Sequence, residues 1–398
     1  MPPAQLSARA LNRATLARQL LLERSDMAPR DAVAHLVGMQ AQIPLDPYVG
    51  LWSRLRGFRP EVLGRLLTDR ELVRIVVMRG TIHLLTAEDV AELRPPVQPL
   101  LDRELAFHGE HKEALRDIDA APILEVARPF LSERPRTIPE IRAEMAARFP
   151  EHPPAALAYL CRNHLALVQV PPRGVWGKTL QVTLATAESW LGRPLAERPD
   201  LERIARRYLG AFGPATPADL AAWSGLPSMR AVLEGLRPEL RVFRDERGRE
   251  LLDLPEAPRP DPETPAPPRF LPEYDNVLLA HADRTRFISE EDRRRLGAAP
   301  GPAKGSVLLD GTALGTWWIE RSEGAATLTV RHLRPLAARA RDRLSAEGRR
   351  LLRLTDPSAG PREIRLVPVP HEGSGRGGEA PMHDGSDDRH AEGGLPAT

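Results

Sequence analysis

An α+β fold is what this chain of 398 residues predicts, on three observations. Helix-forming segments followed by a β-branched hairpin occur three times in succession before residue 255. Seven prolines between Pro255 and Pro268 then interrupt that pattern. Beyond them the residues turn strand-like, with an Asp310-Gly311 pair suited to a two-residue hairpin turn.

In the first unit, Asn12 is placed to cap a helix from about Arg13 to Glu23, where Leu16, Leu20 and Leu21 recur at helical spacing. A second helix starts near Pro29 and carries Ala32, Val33, Leu36 and Val37 on one face. Pro44 lacks an N–H and disfavours helical geometry at Ile43, so that helix is expected to stop there. Short helices at 49–55 and 60–67 precede strands at 72–78 and 81–85, and Arg79-Gly80 leaves room only for a tight turn. Helices at 122–131, 138–149 and 154–163 lead to strands at 165–170 and 180–184 around Pro171-Pro172-Arg173-Gly174. Helices at 200–209, 216–224 and 227–236 lead to strands at 240–243 and 250–254 around Asp245-Glu246-Arg247-Gly248.

Helices followed by a β-hairpin is the order of a winged helix. The segment from Ala218 to Leu226 adds the small-residue helix and glycine turn of a helix-turn-helix. The expected partition is three tandem winged-helix units at 1–118, 119–196 and 197–254, then an extended linker at 255–268. A small antiparallel, barrel-like β domain follows at 269–370, closed by an Arg-rich amphipathic helix at 335–354. Residues 371–398, rich in Gly, Asp and His, are expected to be a disordered tail.

Composition narrows the function classes. Net charge is only +2, so any nucleic-acid surface must come from segregation of charge rather than from a polybasic tail. Lys112, Lys178 and Lys304 are the only lysines among 56 basic residues. Arginine's planar fork suits phosphates and base edges, although GC-rich coding produces the same bias. The single cysteine, Cys161, rules out an internal disulfide and a Cys-based zinc site, and its surroundings read as helix core. His371, His383 and His390 read as free tail histidines, and no cofactor or metal is expected. No signal-peptide pattern opens the chain, and no run of about 18 apolar residues occurs. The expectation is a cytoplasmic monomer without a membrane partner.

Gln40 and Gln42 carry the strongest chemical signal. On a continuing helix they point to nearly opposite sides, whereas in extended backbone they share a face. Each amide offers a carbonyl acceptor and two N–H donors, a way to hold a water or a base edge without net charge. The plainer alternative is two polar residues at a helix end. Asp46 is either a true base or the cap of the following helix, and His83 is either a core histidine or a site residue. Arg79 reads as a phosphate contact or as an ordinary turn arginine. Arg203, Arg206 and Arg207, Arg293 to Arg295, and Arg339, Arg341 and Arg343 are backbone-contact candidates, with a solvated helix face as the alternative. Hydrolase elbows, metal-ligand spacings and phosphate loops are absent from the sequence.

Four segments together resemble the bacterial winged-helix DNA glycosylases of the AlkZ/YcaQ type. They are Leu36 to Gln42, Pro47 to Arg54, Met78 to Leu84 and Leu271 to Leu279, within a likeness over roughly residues 9–354. The resemblance implies three tandem winged helices with a C-terminal β-barrel. It also implies a monofunctional glycosylase acting on double-stranded DNA carrying N-alkylated or crosslinked purines. The family's catalytic signature, Gln-apolar-Gln or Gln-apolar-Asp, falls on Gln40, Ala41 and Gln42, which is the crosslink-resistance form. Arg79 and His83 would flank the DNA channel, and Tyr274, Asp275 and Asn276 would border it. A noncatalytic winged-helix DNA-binding or regulatory protein could share the same scaffold.

Overall fold

The computed structural model describes residues 3–107, 109–178, 181–298 and 305–369. Its strands form three sheets, and none closes on itself. The largest runs in the order Met39–Gln40, Ile82–Thr86, Leu72–Val76, Leu167–Gln169, Thr183–Thr186, Arg136–Thr137. The first two expected units therefore share a sheet, with Arg74 opposite Gln169 and Ile75 opposite Val168. Leu72–Val76 is buried throughout, and the second hairpin satisfies an edge that would otherwise expose unpaired N–H and C=O groups. Apolar residues from Ala32 to Leu252 join in one core, so the units are fused rather than strung out.

In a second sheet, Ala4–Leu6 runs parallel to Arg241–Asp245, the first strand of the third hairpin. The third sheet comprises Arg269–Leu271, Gly305–Leu309, Thr312–Ser322, Ala325–His332 and Arg362–Pro368. It is open, which corrects the expected barrel. Its last strand joins in parallel, and a parallel connection needs a crossover, here the helix Ala338–Thr355. Leu344, Leu351 and Leu352 of that helix pack with Phe270, Leu328 and Val330, so a helix covers the sheet face. Val49 and Trp52 of the helix Asp46–Arg54 enter the same cluster and tie the motif region to this sheet.

Several local expectations shift. The first helix is Ala8–Arg18, capped by Ser7 and not by Asn12. Asn12 lies inside it, donating to the carbonyls of Arg286 and Gly311 at 2.9 and 2.8 Å. The helix from Pro29 ends at His35, well before Pro44. The chain turns at Val37 and Gly38, with φ of 55° and 88°. A Cβ at Gly38 would stand 2.3 Å from Leu85 Cδ2, so the crossing onto the sheet requires glycine. The proline-rich stretch is strapped down: Arg13 donates to Thr264 O at 2.7 Å, and Arg18 to Pro258 O at 3.1 Å. Among the described residues no helix is long and apolar enough to cross a membrane. The tail expected at 371–398 lies outside them.

Candidate active site

The hairpin of Leu72–Val76 and Ile82–Thr86 turns through two successive positive-φ residues, Arg79 at 57° and Gly80 at 69°. Such a turn matches the right-handed twist of the flanking strands. It folds Arg79 inward. The guanidinium donates to Gln40 Oε1 at 2.8 Å, Asn276 Oδ1 at 2.9 Å and Trp223 O at 2.6 Å, and lies 3.3 Å from His83 Nε2. Three distant parts of the chain thus meet on one cation, and every acceptor is neutral. Burial pulls the Arg79 guanidinium down to about 10, with repulsion from Arg284 second, so it stays charged at neutral pH. Beneath it, Gly225 with φ of 78° closes the helix Pro217–Ser224. A Cβ there would lie 3.0 Å from Arg79 Cα. The helix-turn-helix corner read from the sequence packs on this hairpin turn.

Because guanidinium only donates, Gln40 must face Arg79 with its oxygen. That leaves Gln40 two N–H donors and one carbonyl lone pair. Asn276 is held likewise, with its Nδ2 donating to Gly38 O at 3.3 Å. His83 Nδ1 lies 3.0 Å from Thr81 O, so Nδ1 carries the proton and Nε2 turns a lone pair to Arg79. Burial, then Arg79, lowers the His83 pKa to about 3. His83 is fully buried and neutral, which makes it an inner wall and not a cationic acid.

Met39–Gln40 is a strand, with Gln40 opposite His83. Ala41 N continues the pairing by donating to Ile82 O at 2.7 Å, and Gln42 Oε1 accepts from Ile82 N at 3.3 Å. Both glutamines are anchored through their carbonyls to the same hairpin. They differ in setting, since Gln40 is 7% exposed and Gln42 faces solvent. A cavity of about 10 Å³, close to one water, lies against Gln40, Gln19, Arg54, Asp275 and Asn276.

Residues 33–354 match the AlkZ-like DNA glycosylase family. The chain belongs to that family. It is 24% identical over 342 residues to an interstrand DNA cross-link repair glycosylase of Streptomyces sahachiroi, across 78% of this chain and 87% of the relative. The solved structure of the Streptomyces sahachiroi DNA glycosylase AlkZ is similar in fold. It superposes with a TM-score of 0.66 at 21% identity, covering 91% of this chain and 100% of that one. The resemblance carried by the four sequence segments therefore stands, and the α+β fold is the fold of that glycosylase.

The remaining expected residues of this AlkZ-like chain serve the site at one remove. Asp275 takes both Arg54 donors at 2.7 and 2.8 Å in a buried bidentate pair, and accepts from Val277 N at 3.0 Å. It fastens the segment that carries Asn276. Tyr274 is half-buried, and its backbone N–H, with that of Glu273, binds the Asp46 carboxyl. Asp46 does not cap its helix, because it is the first helical residue and Leu45 holds the cap position. Its Oδ2 is buried without a partner. Burial, then the charges of Glu273 and Asp275, raises the Asp46 pKa to about 8, so the carboxyl mostly keeps its proton at neutral pH.

Sequence reasoning missed Arg74. It is 1% exposed, and donates to the carbonyl of Ala41 at 2.7 Å and to Gln169 Oε1 at 2.6 Å. Burial, then Arg173, lowers its pKa to about 9. It therefore fixes the peptide between the two glutamines. The available signal was a lone arginine amid the β-branched run at 72–77. Of the surface arginines, Arg207 pairs with Asp89, Arg206 with Glu239, and Arg293 with Glu290. Arg295 stands 3.5 Å from Asp292. Arg203, Arg294, Arg339, Arg341 and Arg343 have no side-chain ion pair among the described residues.

Proposed function

We propose that this protein is a monofunctional DNA glycosylase. It hydrolyses the N-glycosidic bond of N-alkylated purines in double-stranded DNA, interstrand crosslinks included, with Gln40 and Gln42 as the catalytic pair. One observation carries the reading: both amides are held by their carbonyls on one hairpin, Gln40 by Arg79 and Gln42 by the Ile82 N–H. The partition into winged-helix units at 1–118, 119–196 and 197–254, action as a monomer and a cytoplasmic setting belong to the same proposal. Tyr274, Asp275 and Asn276 border the channel in this reading, with Arg79 and His83 behind the motif.

A purine alkylated at N7 or N3 is already cationic, so it departs as a neutral base without a proton. None of the groups around Gln40 can readily give one, because Arg79 releases its proton only near pH 10 and His83 is unprotonated above about 3. The bond breaks with its electron pair going to the base, and an oxocarbenium-like sugar remains. A Gln40 N–H donates to the attacking water, whose own hydrogen is received by the free lone pair of Gln42 Oε1. Oxygen joins the sugar carbon, and the proton leaves to solvent. Amides do not ionise water, so their contribution is direction and dipole. The reacting unit carries one positive charge before and during cleavage. Arg79 therefore raises ground and transition states nearly alike and adds little to the barrier.

The test is base release from a duplex with one N7-methylguanine, beside uracil-containing and undamaged duplexes. Release is expected from the cationic lesion alone. Strand breaks should appear only after heat or alkali, with no borohydride-trapped adduct. Binding without release, for both the methyl adduct and a crosslinked duplex, leaves a noncatalytic DNA-binding protein.

A further inference from the structure

Beside the buried site lies a second, outward-facing one. The segment after Ala282 and the helix Glu290–Ala298 enclose a cleft of about 320 Å³, lined by Asp283, Arg284, Thr285, Glu290 and Arg293 among others. Its acceptors are already taken. Asp283 accepts from Thr285 N at 2.9 Å and pairs with Arg249 at 2.6 Å and Arg247 at 3.0 Å. Glu290 receives both a 2.5 Å and a 3.0 Å bond from Arg293. Arg284 is left over. It is half-buried, and its guanidinium has no hydrogen bond or ion pair among the described residues. It is repelled by Arg293 more than it is attracted by Glu290, which Arg293 already holds.

Arg247, Arg249, Arg284 and Arg293 stand here against Asp245, Asp283 and Glu290, so one cation exceeds the carboxylates. Ala282, on the cleft wall, donates its N–H to Asp219 at 2.9 Å, and Asp219 belongs to the helix Pro217–Ser224 whose Gly225 end packs against Arg79. The cleft is thereby joined to the wall of the glutamine site, and Arg284 bears on Arg79, which has no carboxylate of its own. A partly desolvated guanidinium between two like charges is unfavourable until an anion arrives. Its planar fork fits two oxygens of one tetrahedral anion, and the cleft opens to solvent.

We propose that this cleft binds a backbone phosphate of duplex DNA through Arg284, with Arg293 as the second donor, and so sets the strand beside Gln40 and Gln42. The functional meaning rests on the glycosylase reading, whereas the binding itself does not. Phosphate contact fixes register and orientation without reading sequence. Arg284 thereby supplies an anchor that acts on lesioned and undamaged DNA alike.

The experiment is equilibrium binding of an undamaged fluorescent duplex by wild type, Arg284→Ala and Arg284→Lys, between about 50 and 200 mM salt. Arg284→Ala is expected to weaken binding several-fold and to flatten the slope of log K against log salt by about 0.9, one phosphate contact. Arg284→Lys should keep the slope and recover only part of the affinity. The melting temperature of Arg284→Ala should match or exceed that of wild type, since a repelled cation is removed. Unchanged affinity and slope overturn the proposal. So does an affinity loss that comes with a lowered melting temperature. Undamaged DNA keeps this outcome separate from the excision assay, because a protein that releases no base can still show the Arg284 contact.

Discussion

Arg54 and Arg79 are both sunk in the protein, on either side of the peptide joining Asp275 to Asn276, and they are treated oppositely. Arg54 is matched by both oxygens of Asp275, with Gln19 Oε1 and Gly50 O filling out its donors. Arg79 meets only amides, a carbonyl and an imidazole. The first arrangement cancels charge and fastens the C-terminal sheet to the motif helix. The second leaves charge standing and spends its donors on orienting polar side chains. Unneutralised buried charge is costly, and its persistence marks a place where orientation matters more than stability.

Breaking the neutral pair gives the largest effect. Asp275→Asn strands the Arg54 cation and should cost about 3–5 kcal/mol of stability. Urea unfolding reads that loss, and an Arg54→Met, Asp275→Asn double variant should recover much of it. If the single variant unfolds at the wild-type midpoint, the two arginines are not held differently at all.

The oriented cation comes next. In Arg79→Met, Gln40 is free to rotate, and base release should slow about 10–100-fold while unfolding moves far less than in Asp275→Asn. Arg79→Lys keeps the charge without the fork and should restore only part of the rate. Wild-type release by Arg79→Met would strip Arg79 of its orienting role.

The effect of Asp46 depends on pH, and its sign follows from its pKa being raised to about 8 from 3.8. The favourable contribution of the protonated carboxyl is complete below pH 3.8 and is lost as pH rises through 8. Asp46→Asn should therefore gain steadily on wild type as pH climbs from 5 to 9, where wild type buries a charge. Melting curves at pH 5 and pH 9 measure this. A gap between the two proteins that shrinks toward pH 9 runs against it.

What was legible in the sequence was local. The turns at Arg79-Gly80 and Asp310-Gly311 announced themselves, and both pairs have the positive φ that such hairpins need. The extended backbone at Gln40 was also readable, although the chain bends at Gln42 and Pro44 pointed too far along for the helix end. What was hidden depended on partners remote in the chain. Asn12 looked like a cap because its two acceptors, 274 and 299 residues away, leave no trace nearby. Arg79 looked like a surface arginine because nothing local says that Trp223, Gln40 and Asn276 converge on it. The last strand of the third sheet, Arg362–Pro368, was missed although Ile364 and Leu366 alternate with Glu363 and Arg365, because nothing local says that it pairs in parallel with Ala325–His332.

The central claim is that the two carbonyl-anchored glutamines perform the reaction. Single-turnover base release from an N7-methylguanine duplex, at saturating protein, compares wild type with Gln40→Ala and Gln42→Ala. Loss of one oriented donor at a reacting centre typically costs about 100–1,000-fold. Each variant should lose rate on that scale, while its affinity for the duplex and its melting temperature stay near wild type. Base release at the wild-type rate by either variant would contradict the account.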